Sequence, residues 1–171
     1  NYIVEKAQLA GDHVEGKVVY FMELSKSLVS AVRHSSSSRI VVEEFLGPVA
    51  TPQLIKLALS AGESSRFKRD KNINAERFEA LYEAWMRNSV TKQAADIVLV
   101  ARTAELPANE VAGLVTIRNH DSQLQVCLMA VSSQHRRSGI GKALMSAAYE
   151  WGLNQGKNTL TVATQACNMV A

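Results

Sequence analysis

Residues 123–144 read QLQVCLMAVSSQHRRSGIGKAL, and the order in which their chemistry changes decides the fold. The first nine are apolar or strand-favouring and show no helical period, as a strand demands. Two serines follow, then Arg136 and Arg137, then Gly139 and Gly141 just where an apolar stripe at helical spacing begins. A strand running through a short loop into a helix start is the expected local structure. Glycines at such a point let backbone N–H groups approach a ligand with no Cβ in the way. The first N–H groups of a helix have no intrahelical partner, and the positive end of its dipole lies there. With two guanidinium groups adding forked donors, the stretch reads either as a seat for a phosphate-like anion or as a solvated turn that starts a surface helix. It fits neither GxxxxGK[ST] nor GxGxxG. The strand directly before it favours the seat, because open α/β sheets place ligands beyond strand ends.

Upstream, ADIVLVAR (95–102) and EVAGLVTIR (110–118) are short β-branched runs bounded by turn formers. With 123–131 they predict a meander of three antiparallel strands. The loops ELPANE (105–110) and NHDSQ (119–123) would join them. Two helices precede the meander. TPQLIKLALSAG (51–62) offers Thr51 as cap, Pro52 at the first helical position, Leu54, Leu57 and Ala58 as a stripe, and Gly62 as a stop. NAERFEALYEAWMRNSV (74–90) offers Asn74 as cap and Phe78, Leu81, Trp85 and Met86 as one face. Downstream, Leu144, Ala148 and Trp151 mark a helix ended by Gly152 and Gly156, before a strand at 158–164. Strands are also expected at 17–24 and 38–46, separated by the serine-rich connector RHSSSS. The order β-α-α-β-β-β-α-β predicts an α/β (α+β) fold, a mixed sheet flanked by helices with the last strand parallel to its predecessor. A boundary near Gly47–Pro48 would divide a small appendage (1–46) from the main domain (47–171).

Composition narrows the function classes. The 171 residues are 47% hydrophobic and 20% charged with a formal charge of +3, ordinary for a globular domain. No basic stripe interleaved with exposed aromatics suggests a nucleic-acid surface. No apolar run reaches the length of a membrane span, and the N-terminus has no signal-peptide pattern. Cys127 and Cys167 stand in no metal-binding spacing, so buried thiols in a reducing, cytoplasmic compartment are expected and no metal is.

The pattern Val131-x-x-x-x-Arg136-x-x-Gly139-x-Gly141 resembles the acetyl-CoA motif of the GNAT superfamily of acetyltransferases, written (Q/R)xxGx(G/A) after a strand. The element order from about 46 to 164 is that superfamily's order too. The resemblance implies acetyl-CoA as co-substrate. Its pyrophosphate would lie on the loop of Arg136, Arg137, Ser138, Gly139, Ile140 and Gly141, with Lys142 beside it. Its pantetheine would pair with the exposed backbone of Met129, Ala130 and Val131, and Asn168 would stand near it. Arg137 departs from the pattern, where many members carry glycine; a negative φ would make it tolerable.

SSRFKRD (64–70), FEALYEAWMRNSV (78–90) and LTVATQACN (160–168) further resemble the dTDP-fucosamine acetyltransferase group. That likeness implies N-acetylation of a nucleotide-linked aminosugar for polysaccharide biosynthesis, with Arg66, Phe67, Arg69 and Asp70 in a loop at the acceptor cleft. Arg66 and Arg69 would pair with the nucleotide diphosphate, and Asp70 could instead cap locally. The family's acid is a tyrosine within NxxAxxxY; Asn168 to Ala171 match the first half, and the tyrosine would fall past residue 171. A protein N-terminus, a polyamine or another small amine is the alternative acceptor, and a non-catalytic acyl-CoA-binding module the alternative class. A homodimer is expected. His120 and His135 read as loop histidines, Cys127 as packed mid-strand, and Tyr82 and Trp85 as helix core with an edge toward the cleft.

Overall fold

The helices begin where short polar side chains can satisfy their first amides. The structure is a computed structural model that describes residues 17–25, 40–107, 109–121, 123–166 and 168. Thr51 Oγ1 accepts from Leu54 N at 3.3 Å and opens helix α1 (Pro52–Gly62). Ser65 Oγ accepts from Lys68 N at 3.3 Å and opens α2, a single turn over Arg66–Arg69. Asn74 Oδ1 accepts from Arg77 N at 2.9 Å and opens α3 (Ala75–Val90). Helix α4 (Ile140–Asn154) differs: Gly139 stands at its cap, with no side-chain cap for its first amides among the described residues. Residues 64–70, expected as a loop, are thus partly helical, because Ser65 supplies a cap that the charge run concealed.

Six strands, β1 (Lys17–Glu23), β2 (Ile40–Glu44), β3 (Ile97–Thr103), β4 (Gly113–His120), β5 (Gln123–Val131) and β6 (Thr159–Gln165), form one sheet in the order β1-β6-β5-β4-β3-β2. Every neighbouring pair is antiparallel except β5 and β6, which α4 connects as a parallel pair. The expected strands at 17–24 and 38–46 are the two edges of this sheet, so Gly47–Pro48 does not separate two sheets. Strand pairing with β6 and β3 draws both in, a long-range effect that local sequence does not carry.

Helices α1 and α3 cover one face, packing Leu54, Leu57, Phe78, Tyr82 and Met86 on Val98, Val100, Leu114, Leu128 and Ala130. Helix α4 covers the other with Ile140, Leu144, Ala148 and Tyr149 against Leu99, Val115, Ile117, Leu124 and Val126. Strand β3 is therefore buried on both sides, which is why IVLV reads as a continuous apolar run. Two expectations are corrected. Leu81 is exposed, and Tyr82 takes its place on the buried face. Gly152 lies inside α4 as a close-approach site, where a Cβ would come within 2.5 Å of Leu124 Cδ1. Gly62 ends α1 as expected and is a close-approach site too, its Cβ position 2.5 Å from the Tyr82 ring, and Gly156, with φ +70°, follows the last turn of α4.

Candidate active site

Strand β5 contains one residue too many for its partner. Val126 lies opposite Ile117 and Leu128 opposite Thr116, so Cys127 is the extra residue of a bulge. A bulge bends its strand and sharpens the twist. The parallel pairing of β5 with β6 runs from Gln123–Thr159 to Val126–Val162 and stops there, although both strands continue. The sheet therefore splits where the bulge begins. The buried hydroxyl of Thr116 accepts from Leu128 N at 3.0 Å, and Ser132 N donates to Ala112 O at 2.8 Å. Those even-numbered amides point toward β4 and its approach. Alternation then turns the N–H groups of Met129 and Val131 into the split.

The split opens into a cavity of about 920 Å³ bounded by β5, β6, the start of α4 and the helices α1 to α3. At one end, the loop before α4 folds through a 3-10 turn (Ser133–His135), with Arg136 extended behind it. Arg137 has φ +64° and Gly139 φ +89°, two left-handed residues that turn the loop back on itself. Arg137 thus does not have the negative φ expected of a tolerable non-glycine. Its side chain lines the cavity, as do those of Arg136 and Lys142. Arg136 Nε donates to Val131 O at 3.4 Å, tying loop to strand end, and Ser138 Oγ donates to His135 O at 2.5 Å. A Cβ on Gly141 would meet only Met129 Cε at 3.6 Å and Val131 Cγ2 at 3.8 Å, so this glycine could be alanine. His135 lines the cavity, and its Nδ1 is buried without a hydrogen-bond partner among the described residues.

The opposite end is aromatic. Phe67, Tyr82 and Trp85 line it, with ring centroids of Tyr82 and Trp85 5.7 Å apart. Burial pushes the Tyr82 phenol up, opposed by a hydrogen bond with Ser65 and the charge of Arg66, so it is a neutral hydroxyl at physiological pH. Glu63 stands on this wall, the one carboxylate among the described lining residues, with Lys68 Nζ 3.5 Å away. Lys68 also stands 4.6 Å over the Phe78 ring. Cys127 lies at the apex of the split, and burial pushes its thiol up more than the nearby Arg118 lowers it.

The family model described as Acetyltransferase (GNAT) family matches residues 63–171. The chain belongs to the GNAT acetyltransferase family. Among solved structures, a GNAT family acetyltransferase from Elizabethkingia anophelis with acetyl-CoA bound is 16% identical at a TM-score of 0.50, over 74% of this chain and 65% of that one. A conserved protein from Staphylococcus epidermidis is 12% identical at a TM-score of 0.56, over 90% of this chain and 52% of its own length. A candidate acetyl transferase from Pyrococcus furiosus is 19% identical at a TM-score of 0.54, over 76% and 85%. The chain thus spans about half to two thirds of the length of the first two, and these likenesses concern the fold. No curated protein matches it in sequence.

Against this GNAT frame, Met129, Ala130, Val131, Arg136, Arg137, Ile140, Gly141, Lys142 and Asn168 all line the cavity. Ser138 and Gly139 shape the loop without reaching the wall. Asn168 Nδ2 donates to Thr164 Oγ1 at 2.9 Å. Of the expected acceptor residues only Phe67 is on the wall. Arg66 is exposed and lies 4.8 Å over the Phe67 ring, and Asp70 accepts from Asn72 N at 2.9 Å in a local turn. Arg69 is exposed, away from the cavity wall. Glu63, Ser65 and Tyr20 line the cavity but carry no sequence signal; only the meeting of α1, β1 and the split brings them there. Cys127 proves half-buried on the cavity wall rather than packed away, and Cys167 lies outside the described residues.

Proposed function

We propose that the chain is an acetyl-CoA-dependent N-acetyltransferase acting on a small primary amine. The observation that carries this reading is the polarity of one continuous cavity. Arg136, Arg137 and Lys142 gather with the uncapped start of α4 at one end, Glu63 and three aromatic rings stand at the other, and the split strands run between. The basic end suits a pyrophosphate, since guanidinium forks and free helix amides favour the same charge. The Met129 and Val131 amides suit an extended amide-bearing chain laid along β5 as an added strand.

The acetyl thioester would then lie near the bulge. An inward amide such as that of Val131 can donate to the carbonyl oxygen as it gains charge. The attacking amine must be neutral, and Glu63 can take its proton directly or through water. Phe67, Tyr82 and Trp85 would hold an apolar or ring-bearing acceptor body. A nucleotide-linked aminosugar is the narrower proposal, supported by that aromatic wall, on which a sugar or base can stack. Arg66 and Arg69 are exposed and off the wall, so the diphosphate contact has less support than the aromatic wall, and the broader amine class is the reading preferred. A cytoplasmic location belongs to the same proposal, supported by the free thiol of Cys127.

Release of CoA thiol from acetyl-CoA tests the reading, with polyamines, aromatic amines, N-terminal peptides and dTDP- or UDP-aminosugars as acceptors. Turnover with a small amine is expected, and Glu63→Gln should lower kcat/KM by about 10²–10⁴ with acetyl-CoA binding unchanged. Turnover only with nucleotide aminosugars selects the narrower acceptor. Acetyl-CoA binding without turnover on any amine would make the chain a binding module and overturn the enzyme reading.

A further inference from the structure

Among the described residues, Lys68 is the lysine whose ammonium group pairs with a carboxylate of the cavity: its Nζ lies 3.5 Å from Glu63 Oε1. The same nitrogen stands 4.6 Å over the ring of Phe78, which is buried. Phe78 begins a row of rings. Its centroid is 4.9 Å from that of Tyr82, which is 5.7 Å from that of Trp85, and the last two line the cavity. The backbone fixes where the lysine stem starts. Lys68 N donates to Ser65 Oγ at 3.3 Å, and Ser65 and Phe67 are both on the cavity wall. The stem therefore leaves a turn at the rim and folds back, so that its charge lies between an aromatic face and the carboxylate.

An acceptor amine needs the same surroundings: a carboxylate to take its proton and an aromatic face beside it. Lys68 is itself a primary amine. We infer that Lys68 is a self-acetylation site, taking the acetyl group of acetyl-CoA onto its own Nζ when no other amine occupies that end of the cavity. Its flexible four-carbon stem can turn Nζ from the rim toward the thioester. Glu63 takes one proton from the ammonium, and the freed nitrogen attacks the thioester carbonyl. The N–C bond forms, and the C–S bond breaks with its electron pair on sulfur. A second proton passes from nitrogen to that sulfur, so CoA leaves as the thiol. Acetylation removes the charge that pairs with Glu63. The inference rests on the acetyltransferase reading of the cavity and extends it to an acceptor within the chain.

Incubation of the full chain with acetyl-CoA and no added amine, followed over time by peptide mass spectrometry, tests it. Lys92 is the internal control, since its Nζ also pairs with a carboxylate, Glu44 at 3.4 Å, but off the cavity wall. Lys68 should be acetylated about 10²-fold faster than Lys92, at a rate independent of protein concentration. Lys68→Arg keeps the charge and should abolish the CoA thiol released without an acceptor. Glu63→Gln separates catalysis from chemical background. Loss of the carboxylate leaves uncatalysed acetylation of Lys68 unchanged or faster, because the ammonium loses its partner, whereas catalysed acetylation should fall about 10²-fold. Acetylation of Lys68 no faster than of Lys92, a rate that grows with protein concentration, or indifference to Glu63→Gln would overturn the inference. Turnover of an added amine with Lys68 unmodified would overturn it alone. Acetyl-CoA bound with no amine acetylated, Lys68 included, would overturn the acetyltransferase reading with it.

Discussion

At the scale of single residues, the loop before α4 is built on two left-handed positions of unequal comfort. Gly139 takes φ +89° freely, whereas Arg137 at φ +64° carries a Cβ that crowds the backbone. Arg137→Gly should therefore raise stability by about 0.5–1 kcal/mol, the relief exceeding glycine's added chain entropy. It should also weaken acetyl-CoA binding several-fold, since the guanidinium lines the basic end; denaturant titration and calorimetry read the two effects separately. Gly139→Ala has room for its methyl, with Ile40 Cδ1 at 3.8 Å, so its cost is backbone strain alone, about 1–2 kcal/mol. Cys127 gives a pH prediction. Its folded value is raised above the ordinary 9.0, so the protonated thiol's contribution is complete below pH 9.0 and is lost as pH rises through the raised value. The urea midpoint should fall more between pH 8 and pH 10 in the wild type than in Cys127→Ala.

At the scale of elements, the bulge and the close helix contacts are what position the cavity. Thr116 is fully buried and its hydroxyl holds the amide of Leu128 just past the bulge. Thr116→Val removes that acceptor without changing shape, leaving a buried amide unpaired, and should cost about 1–3 kcal/mol in chemical denaturation. Gly62 lets α1 approach the Tyr82 ring. Gly62→Ala should destabilise by about 1–3 kcal/mol through overpacking. Because the displaced ring is part of the aromatic wall, KM for the amine should rise more than KM for acetyl-CoA. The bulge was invisible in the sequence for a definite reason. Burial alternates without interruption from Leu124 to Ala130, yet Leu124 and Val126 face α4 while Leu128 and Ala130 face α1 and α3. Both faces are apolar, so the pattern that normally reports a strand's faces cannot show that it switches between them.

At the scale of the whole molecule, the cavity separates charge: cations at the start of α4, a carboxylate across the split strands. Arg136, Arg137 and Lys142 are exposed, so screening should act on them strongly. Acetyl-CoA binding should weaken several-fold between low and high ionic strength, measured by calorimetry, with a smaller effect in Arg136→Ala. A salt-independent affinity would argue that backbone amides, not side-chain charge, hold the anion.

The sequence by itself determined the strands, the helix starts at Thr51 and Asn74, the α/β class and the glycine-arginine loop, because these rest on local rules: residue periodicity, side-chain caps and the freedom of glycine. Nine of the eleven expected cofactor residues line the cavity, eight of them because a strand–loop–helix run brings its own residues together, and Asn168 because it follows β6. Only the tertiary structure decided that Arg137 is left-handed, that Arg66 and Arg69 stand off the wall while Glu63 stands on it, and that strands near both ends of the described chain close one sheet. Those outcomes depend on which elements meet across space. A charge run such as SSRFKRD reads the same whether its arginines face a cavity or water, and helix packing around Gly62 and Tyr82 chooses between them.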